Sequence, residues 1–232
     1  MSGRRLALWF AGAFALGLLL AAPLQLATAR LALPQELSAA GVDGSVWHGR
    51  LRQARWRDVA IGDVRMGLSP LPLLLGRRQL WFHTPQAALA LHAGRVRGLS
   101  RADGVLPLPS PPGLALRASL KDARLLFDDE GCREAGGRVR VEMTLADGAL
   151  PPLLLAGTPA CEGGAGRLAL VPEDATAPLW LEATLTVEAD GRRSLQASAR
   201  TDDPGLRAAL VAHGFQDAPG GLSRVVELGA RR

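Results

Sequence analysis

Cys132 and Cys161 carry the most definite chemistry in this chain, because they are its only two cysteines. Oxidised, they would form one cross-link; reduced, they would be two buried thiols. The segment between them is rich in glycine and strand-forming residues, so its ends can meet. Metal binding would need more ligands, and His48, His83, His92 and His213 show no useful spacing with the cysteines. Which state the thiols adopt depends on the compartment, and so on the N-terminus considered below.

The other chemically capable clusters are weak. Asp128, Asp129 and Glu130 stand together, but a calcium loop spaces its oxygens at alternate positions and adds a distal carboxylate. Gly163-Gly164-Ala165-Gly166 is glycine-rich, yet a strand pattern follows it, whereas a phosphate cradle requires a helix N-terminus there. His48 has no cysteine or paired carboxylate beside it and reads as an exposed strand residue. There is no HExxH, GxSxG, P-loop or dinucleotide-binding signature. The residues therefore offer no catalytic constellation, no metal site and no cofactor site.

Arg50, Arg52, Arg55 and Arg57, with Trp47 and Trp56 close by, are the densest cationic stretch, and the formal net charge is +5. Cations interleaved with stacking aromatics suit single-stranded nucleic acid. Here they alternate with other residues as the solvated face of a strand does. Lys121 is the only lysine, tyrosine is absent, and Ala, Leu, Gly and Pro are abundant, so the charge reflects compositional bias. No nucleic-acid partner is expected, and no small-molecule substrate.

The element that fixes the compartment is the apolar run from Leu6 to Leu26, which follows Arg4 and Arg5 and contains no charge. A helix over it would span about 30 Å, the thickness of a bilayer's hydrocarbon core. The arginines should stay on the cytoplasmic side, which places the rest of the chain beyond the membrane. Residues 1–5 are thus a cytoplasmic N-terminus, 6–26 a single-pass anchor and 27–232 a periplasmic domain. Ala27-Thr28-Ala29 would suit a cleaved signal peptide instead, but a signal core usually has about 7–15 residues, and this run is longer. Both readings give an oxidising environment, which favours the Cys132–Cys161 bridge. No later stretch is long enough for a second span; Leu71 to Leu75 is apolar but far too short.

From Gly41 onward the apolar residues recur with period two. Examples are Val64, Met66, Leu68; Leu114, Leu116, Ala118, Leu120; Val139, Val141, Met143, Leu145; and Leu181, Ala183, Leu185, Val187. This predicts half-buried antiparallel strands, with turns at Asp103-Gly104, Asp147-Gly148 and Asp190-Gly191. Asp203, Pro204 and Gly214 are placed as N-cap, first helical residue and C-terminal stop of a short helix over 204–213, before a closing strand near Arg224 to Leu228. The fold class is therefore mainly β: an N-terminal transmembrane helix, then an antiparallel β-rich domain with a short C-terminal helix. Pro107, Pro109, Pro111 and Pro112 mark 106–113 as a candidate seam between β subdomains or a long crossing loop.

One region is more specific. It reads Val42-Asp43-Gly44-Ser45-Val46-Trp47-His48-Gly49, then Ala54-Arg55-Trp56, Leu68-Ser69-Pro70 and Leu73-Leu74-Leu75-Gly76. In this order after an N-terminal anchor, it resembles the N protein of the bacterial type II secretion system. Cys132 followed by Gly136-Gly137, Cys161 followed by Gly163, and Leu210 to Phe215 fit the same family. The resemblance implies a non-enzymatic inner-membrane component with one span and a periplasmic domain. It also implies contacts with other secretion subunits that support transport of folded periplasmic proteins across the outer membrane. The alternative is an envelope β domain that binds lipid or another hydrophobic ligand.

Gly44, Ser45, Trp47, Gly49 and Trp56 are the candidate interaction motif. Gly44 and Gly49 are expected to bracket a short strand. The two indoles either pack in the β core, or one of them anchors a partner or the membrane interface.

Overall fold

The computed structural model describes residues 9–14, 17, 21–24, 37–57, 59–110, 113–145, 151–174, 177 and 179–227. Ten of the 21 residues of the expected anchor, and all of residues 1–5, lie outside them. Residues 9–14 are helical, with Trp9, Phe10 and Phe14 exposed. Among the described residues no helix is long and apolar enough to cross a membrane. The chain divides after Pro85 into two compact units, each built of antiparallel strands as the alternating pattern predicts.

The first unit contains β1 (Leu37–Ser38), β2 (Gly41–Gly44), β3 (Gly49–Trp56), β4 (Val59–Leu68), α1 (Pro70–Leu74) and β5 (Arg78–His83). Both β1 and β2 pair with β3, which pairs with β4, which pairs with β5. Leu24, Leu51, Ala54, Val64 and Met66 form its buried core, with Val42, Ile61 and Phe82 packed against it. Leu51 and Ala54 are three residues apart on one strand, so strict alternation would put them on opposite faces. A bulge reconciles them: Gln53 has a φ of 49°, the register shifts on either side of Ala54, and both side chains turn inward. Asp63 on β4 secures the bulge by accepting the Gln53 N–H at 3.0 Å and pairing with Arg50 at 2.5 Å.

The second unit holds β6 (Ala87–Ala93), β7 (Arg97–Leu108), β8 (Leu114–Phe127), β9 (Cys132–Leu145), β10 (Leu153–Gly157), β11 (Pro159–Glu162), β12 (Ala165–Pro172), β13 (Trp180–Val187), β14 (Arg193–Arg200), α2 (Pro204–Ala212), β15 (Gln216–Ala218) and β16 (Gly221–Glu227). Within it the strands run in the order β6-β7-β8-β9-β10-β12-β13-β14-β16-β15, with β11 on β12. The connections are mostly local hairpins; the exceptions are β10 to β11, which both pair with β12, and α2, which carries the chain from β14 to the β15–β16 pair. Its core gathers small and branched residues from successive strands, among them Ala102, Ala123, Val139, Leu155, Leu170, Leu181, Ala199 and Leu222.

Two sequence expectations change here. Asp103-Gly104 is not a turn but a bulge inside β7: Gly104 has a φ of 109°, and a Cβ there would lie 2.6 Å from Ala87 Cα. Asp103 accepts the N–H of Asp122, a left-handed residue that bulges β8 in turn, at 2.9 Å. The proline-rich stretch is strand as far as Leu108. Pro107 pairs with Arg117 of β8, while β6 pairs only as far as Gly104, so the missing proline N–H leaves no ladder bond unmade. The short apolar stretch after Ser69 is the helix α1. Asp190-Gly191 does turn the β13–β14 hairpin, and Asp147-Gly148 lies outside the described residues.

The C-terminal helix forms where its signals stand. Asp203 Oδ1 accepts the N–H groups of Gly205 and Leu206 at 2.7 and 3.0 Å, Pro204 opens the helix, and Gly214 follows it with a φ of 86°.

Candidate functional site

Gly44 and Gly49 bracket a turn rather than a strand. Gly44 closes β2, Gly49 opens β3, and the two are directly paired, leaving Ser45, Val46, Trp47 and His48 as the loop of a hairpin. The reason is local. Gly44 has a φ of 88°, and a Cβ there would collide with His48 O and lie 3.2 Å from Gly49 Cα. Ser45 N donates to His48 O at 3.2 Å, and Ser45 Oγ accepts from His48 N at 3.3 Å, closing the loop.

This tip is fastened on both sides. Val46 N donates to Ala22 O and Val46 O accepts from Leu68 N, both at 2.9 Å. Pro23 bridges to Ser45, and Leu24 is buried against Gly49, where a Cβ would collide with the leucine side chain. The tip therefore joins the end of the N-terminal apolar run to the end of β4. On the β4 side the approach is closest at Gly67. A Cβ there would collide with Trp47 O and lie 2.7 Å from Trp47 C and 2.8 Å from Trp81 Cζ2.

Trp47 is half-buried at this tip. Trp81, on β5, has its ring 5.9 Å from that of His48 and 5.3 Å from that of His83. A shallow depression of about 330 Å³ is lined by Asp43, Gly44, His48, Arg50, Arg65 and Trp81, among others. Its charges are balanced in part: Arg50 of the lining pairs with Asp63, and Asp43 of the lining with Arg52, each at 2.5 Å. The Gln53 N–H, and then Arg50, hold the Asp63 carboxyl below the usual aspartate range. The depression presents aromatic rings, cations and backbone, which suits surface recognition; it holds no nucleophile–base pair.

The structure thus brings Gly44, Ser45, Trp47 and Gly49 together and leaves Trp56 apart. Trp56 ends β3, seven residues from Gly49, which is about 23 Å along an extended strand. There it pairs with Leu37 and Val59 and is half-buried. Sequence reasoning missed Gly67, Trp81 and Leu24. Gly67, flanked by Met66 and Leu68, was the one legible signal, because glycine within a strand marks a close backbone approach.

Cys132 and Cys161 are joined as a disulfide, with Cα atoms 5.5 Å apart. It ties the start of β9 to β11, beside the bond from Cys132 N to Gly164 O at 2.7 Å. Gly163 and Gly164 form the β11–β12 turn. Asp128 and Glu130 lie in the β8–β9 turn, where the Asp128 carboxylate accepts the Glu130 N–H at 3.0 Å. Among the described residues no three His, Cys, Asp or Glu side chains are placed to share a metal ion.

The family model for type II secretion system (T2SS) protein N matches residues 35–224. Type II secretion system protein N of Vibrio cholerae serotype O1 is 38% identical over 55 residues, covering 24% of this chain and 22% of that relative. The aligned part is thus less than a quarter of the relative's length. No solved structure matches the chain. With most of its length matched by that model, the chain belongs to the type II secretion system protein N family.

Proposed function

We propose that this chain is a non-enzymatic structural subunit of a type II secretion system. The apolar run from Leu6 to about residue 21 holds it in the inner membrane, its β units lie in the periplasm, and it acts by contacting other secretion subunits; Ala22 to Leu24, expected within the anchor, belong instead to the first β unit. The family match over residues 35–224 carries this reading. Three features support the topology. The Cys132–Cys161 disulfide belongs in an oxidising compartment. Helical residues 9–14 expose Trp9, Phe10 and Phe14, side chains at home in lipid. The segment 22–24, at the end of the apolar run, is bonded into the first β unit. The hairpin tip at Gly44–Gly49 offers an ordered surface with a half-buried indole, of the kind that seats a protein partner.

The test is capture of the full-length protein from its native membrane in mild detergent, with protein and lipid mass spectrometry on one eluate. Recovery of secretion subunits, reduced by Trp47→Ala without loss of membrane insertion, is the expected result. Stoichiometric lipid without those subunits would overturn the scaffold reading in favour of a lipid-binding domain. Reporter fusions after residue 40 that are active in the cytoplasm would overturn the topology.

A further inference from the structure

We propose that α1 and the two arginines after it form a second, interfacial contact with the bilayer, with Leu71 and Leu75 entering the headgroup–acyl boundary and Arg77 and Arg78 engaging lipid phosphates. This rests on the reading of the N-terminal apolar run, before Ala22, as a membrane anchor.

Leu71, in α1, and Leu75, the residue that caps it, stand four positions apart, each 74% exposed. Isolated exposed leucines need no explanation. This pair is different because the backbone holds it in place. Leu75 N donates to Pro72 O at 3.0 Å, Gly76 N to Leu73 O at 3.0 Å and Arg77 N to Pro72 O at 2.9 Å, and Gly76 turns the chain with a φ of 72°. Arg77 and Arg78 are exposed, and neither is in an ion pair with a described residue, whereas Arg50 and Arg52 are held by Asp63 and Asp43. Apolar side chains flanked by free arginines are the composition of a segment that lies in a membrane interface.

Position selects the bilayer over a protein partner. The hydrogen bonds from Val46 N to Ala22 O and from Leu68 N to Val46 O connect the end of the apolar run, through the hairpin tip, to the end of β4. α1 begins two residues after Leu68, about 7 Å of extended chain. Crossing two strand spacings of about 4.8 Å and those two residues, it begins at most about 17 Å from Ala22, near the point where the chain leaves the bilayer. The headgroup zone extends about 5–8 Å beyond the hydrocarbon core on each side, so side chains projecting there meet lipid. The short helix that cannot span a membrane is suited to rest on one.

The full chain, reconstituted in phosphatidylethanolamine–phosphatidylglycerol vesicles, tests this. Spin labels are placed by Leu71→Cys, Leu75→Cys and, at the far end of β4, Ala60→Cys. Each label's collision rate with oxygen is compared with that of a water-soluble nickel chelate, and alkaline extraction of the same vesicles reports on the anchor. The expected result is an oxygen-to-nickel ratio several-fold higher at 71 and 75 than at 60, reduced by Arg77→Gln with Arg78→Gln. Labels at 71 and 75 as aqueous as that at 60, in chain that resists extraction, would overturn the interfacial contact and leave the anchor standing. Labels shielded from both reagents would also overturn it, by revealing a protein contact. Lipid-exposed labels in chain that extracts would sustain the contact and overturn the anchor. Aqueous labels in extractable chain would overturn both.

Discussion

Replacing Gly67 by alanine should loosen the hairpin tip without substituting any residue of the tip itself. Gly67 needs no unusual backbone dihedral, so the substitution isolates close approach. The added methyl would collide with Trp47 O and sit 2.7 Å from Trp47 C and 2.8 Å from Trp81 Cζ2. Two of those atoms are backbone and cannot swing aside. Elsewhere in a strand, Gly→Ala should stabilise by about 0.4–1 kcal/mol, because alanine restricts the unfolded chain. Overpacking of this kind costs about 1–3 kcal/mol, so the sign reverses. Gly41→Ala on β2 is the control, since its Cβ would meet only Arg52 Cδ at 3.9 Å. The Leu68 and Val46 amides, which bond Val46 O and Ala22 O, report the opening directly. Hydrogen exchange of the full chain in mild detergent should show their protection fall about five- to 150-fold in Gly67→Ala and hold or rise in Gly41→Ala. Unchanged or increased protection in Gly67→Ala would refute the argument that this glycine exists to admit the tip.

Three further outcomes are expected. The Cys132–Cys161 bridge closes a sequence separation of 29, for which chain entropy gives about 3.6 kcal/mol; Cys132→Ala with Cys161→Ala should lower denaturant stability by about that amount, measured against non-reduced protein. Asp63, Asp103 and Asp190 are held below the ordinary aspartate range, first by the backbone N–H groups of Gln53, Asp122 and Arg192 respectively, with Arg50, Arg101 and Arg192 side chains assisting. A depressed carboxyl contributes stability that is present above its unfolded pKa, about 3.9, and is lost as pH falls through the folded value. Asp63→Asn and Asp103→Asn should therefore each flatten the fall in stability below about pH 4 in acid titrations followed by circular dichroism. Asp203→Ala removes both hydrogen bonds that cap α2 and should cost about 1 kcal/mol, with exchange of the Gly205 and Leu206 amides rising first.

Legibility in the sequence followed the length scale of each interaction. Period two located β4, β6, β13 and β14 because a strand with one buried face writes its burial directly into its residues. The cap of α2 was equally legible, since Asp203, Pro204 and Gly214 act within a few positions of one another. The cysteine pair was legible as chemistry, its pairing only as an expectation, because joining Cys132 to Cys161 depends on where β11 lies relative to β9. The pattern failed where one strand answers another. Leu120 and Ala123 both face inward on β8 because Asp122 bulges between them, and Asp103 on β7 holds that bulge. A window moving along β8 alone sees two out-of-phase patterns and ends the strand too early.

The same cause explains the misreading of Asp103-Gly104. In isolation the dipeptide signals a tight turn, because both turns and bulges demand a positive φ that glycine supplies. What separates the two is the partner strand. Here the Asp103 carboxylate reaches a backbone N–H on β8, while Asp63, next to Gly62, does the same to Gln53 on β3. The two units thus use one device twice: an aspartate beside a glycine, securing a left-handed residue on the adjacent strand. On β9, Gly137 extends the row in the second unit, with a φ of 84° and a Cβ position 2.6 Å from Ala123 Cα. Bulges aligned across neighbouring strands bend a sheet more strongly than twist alone. The glycines of this chain therefore divide by function. Those at Gly104 and Gly137 admit curvature, and those at Gly44, Gly49 and Gly67 admit the hairpin tip on which the proposed interactions rest.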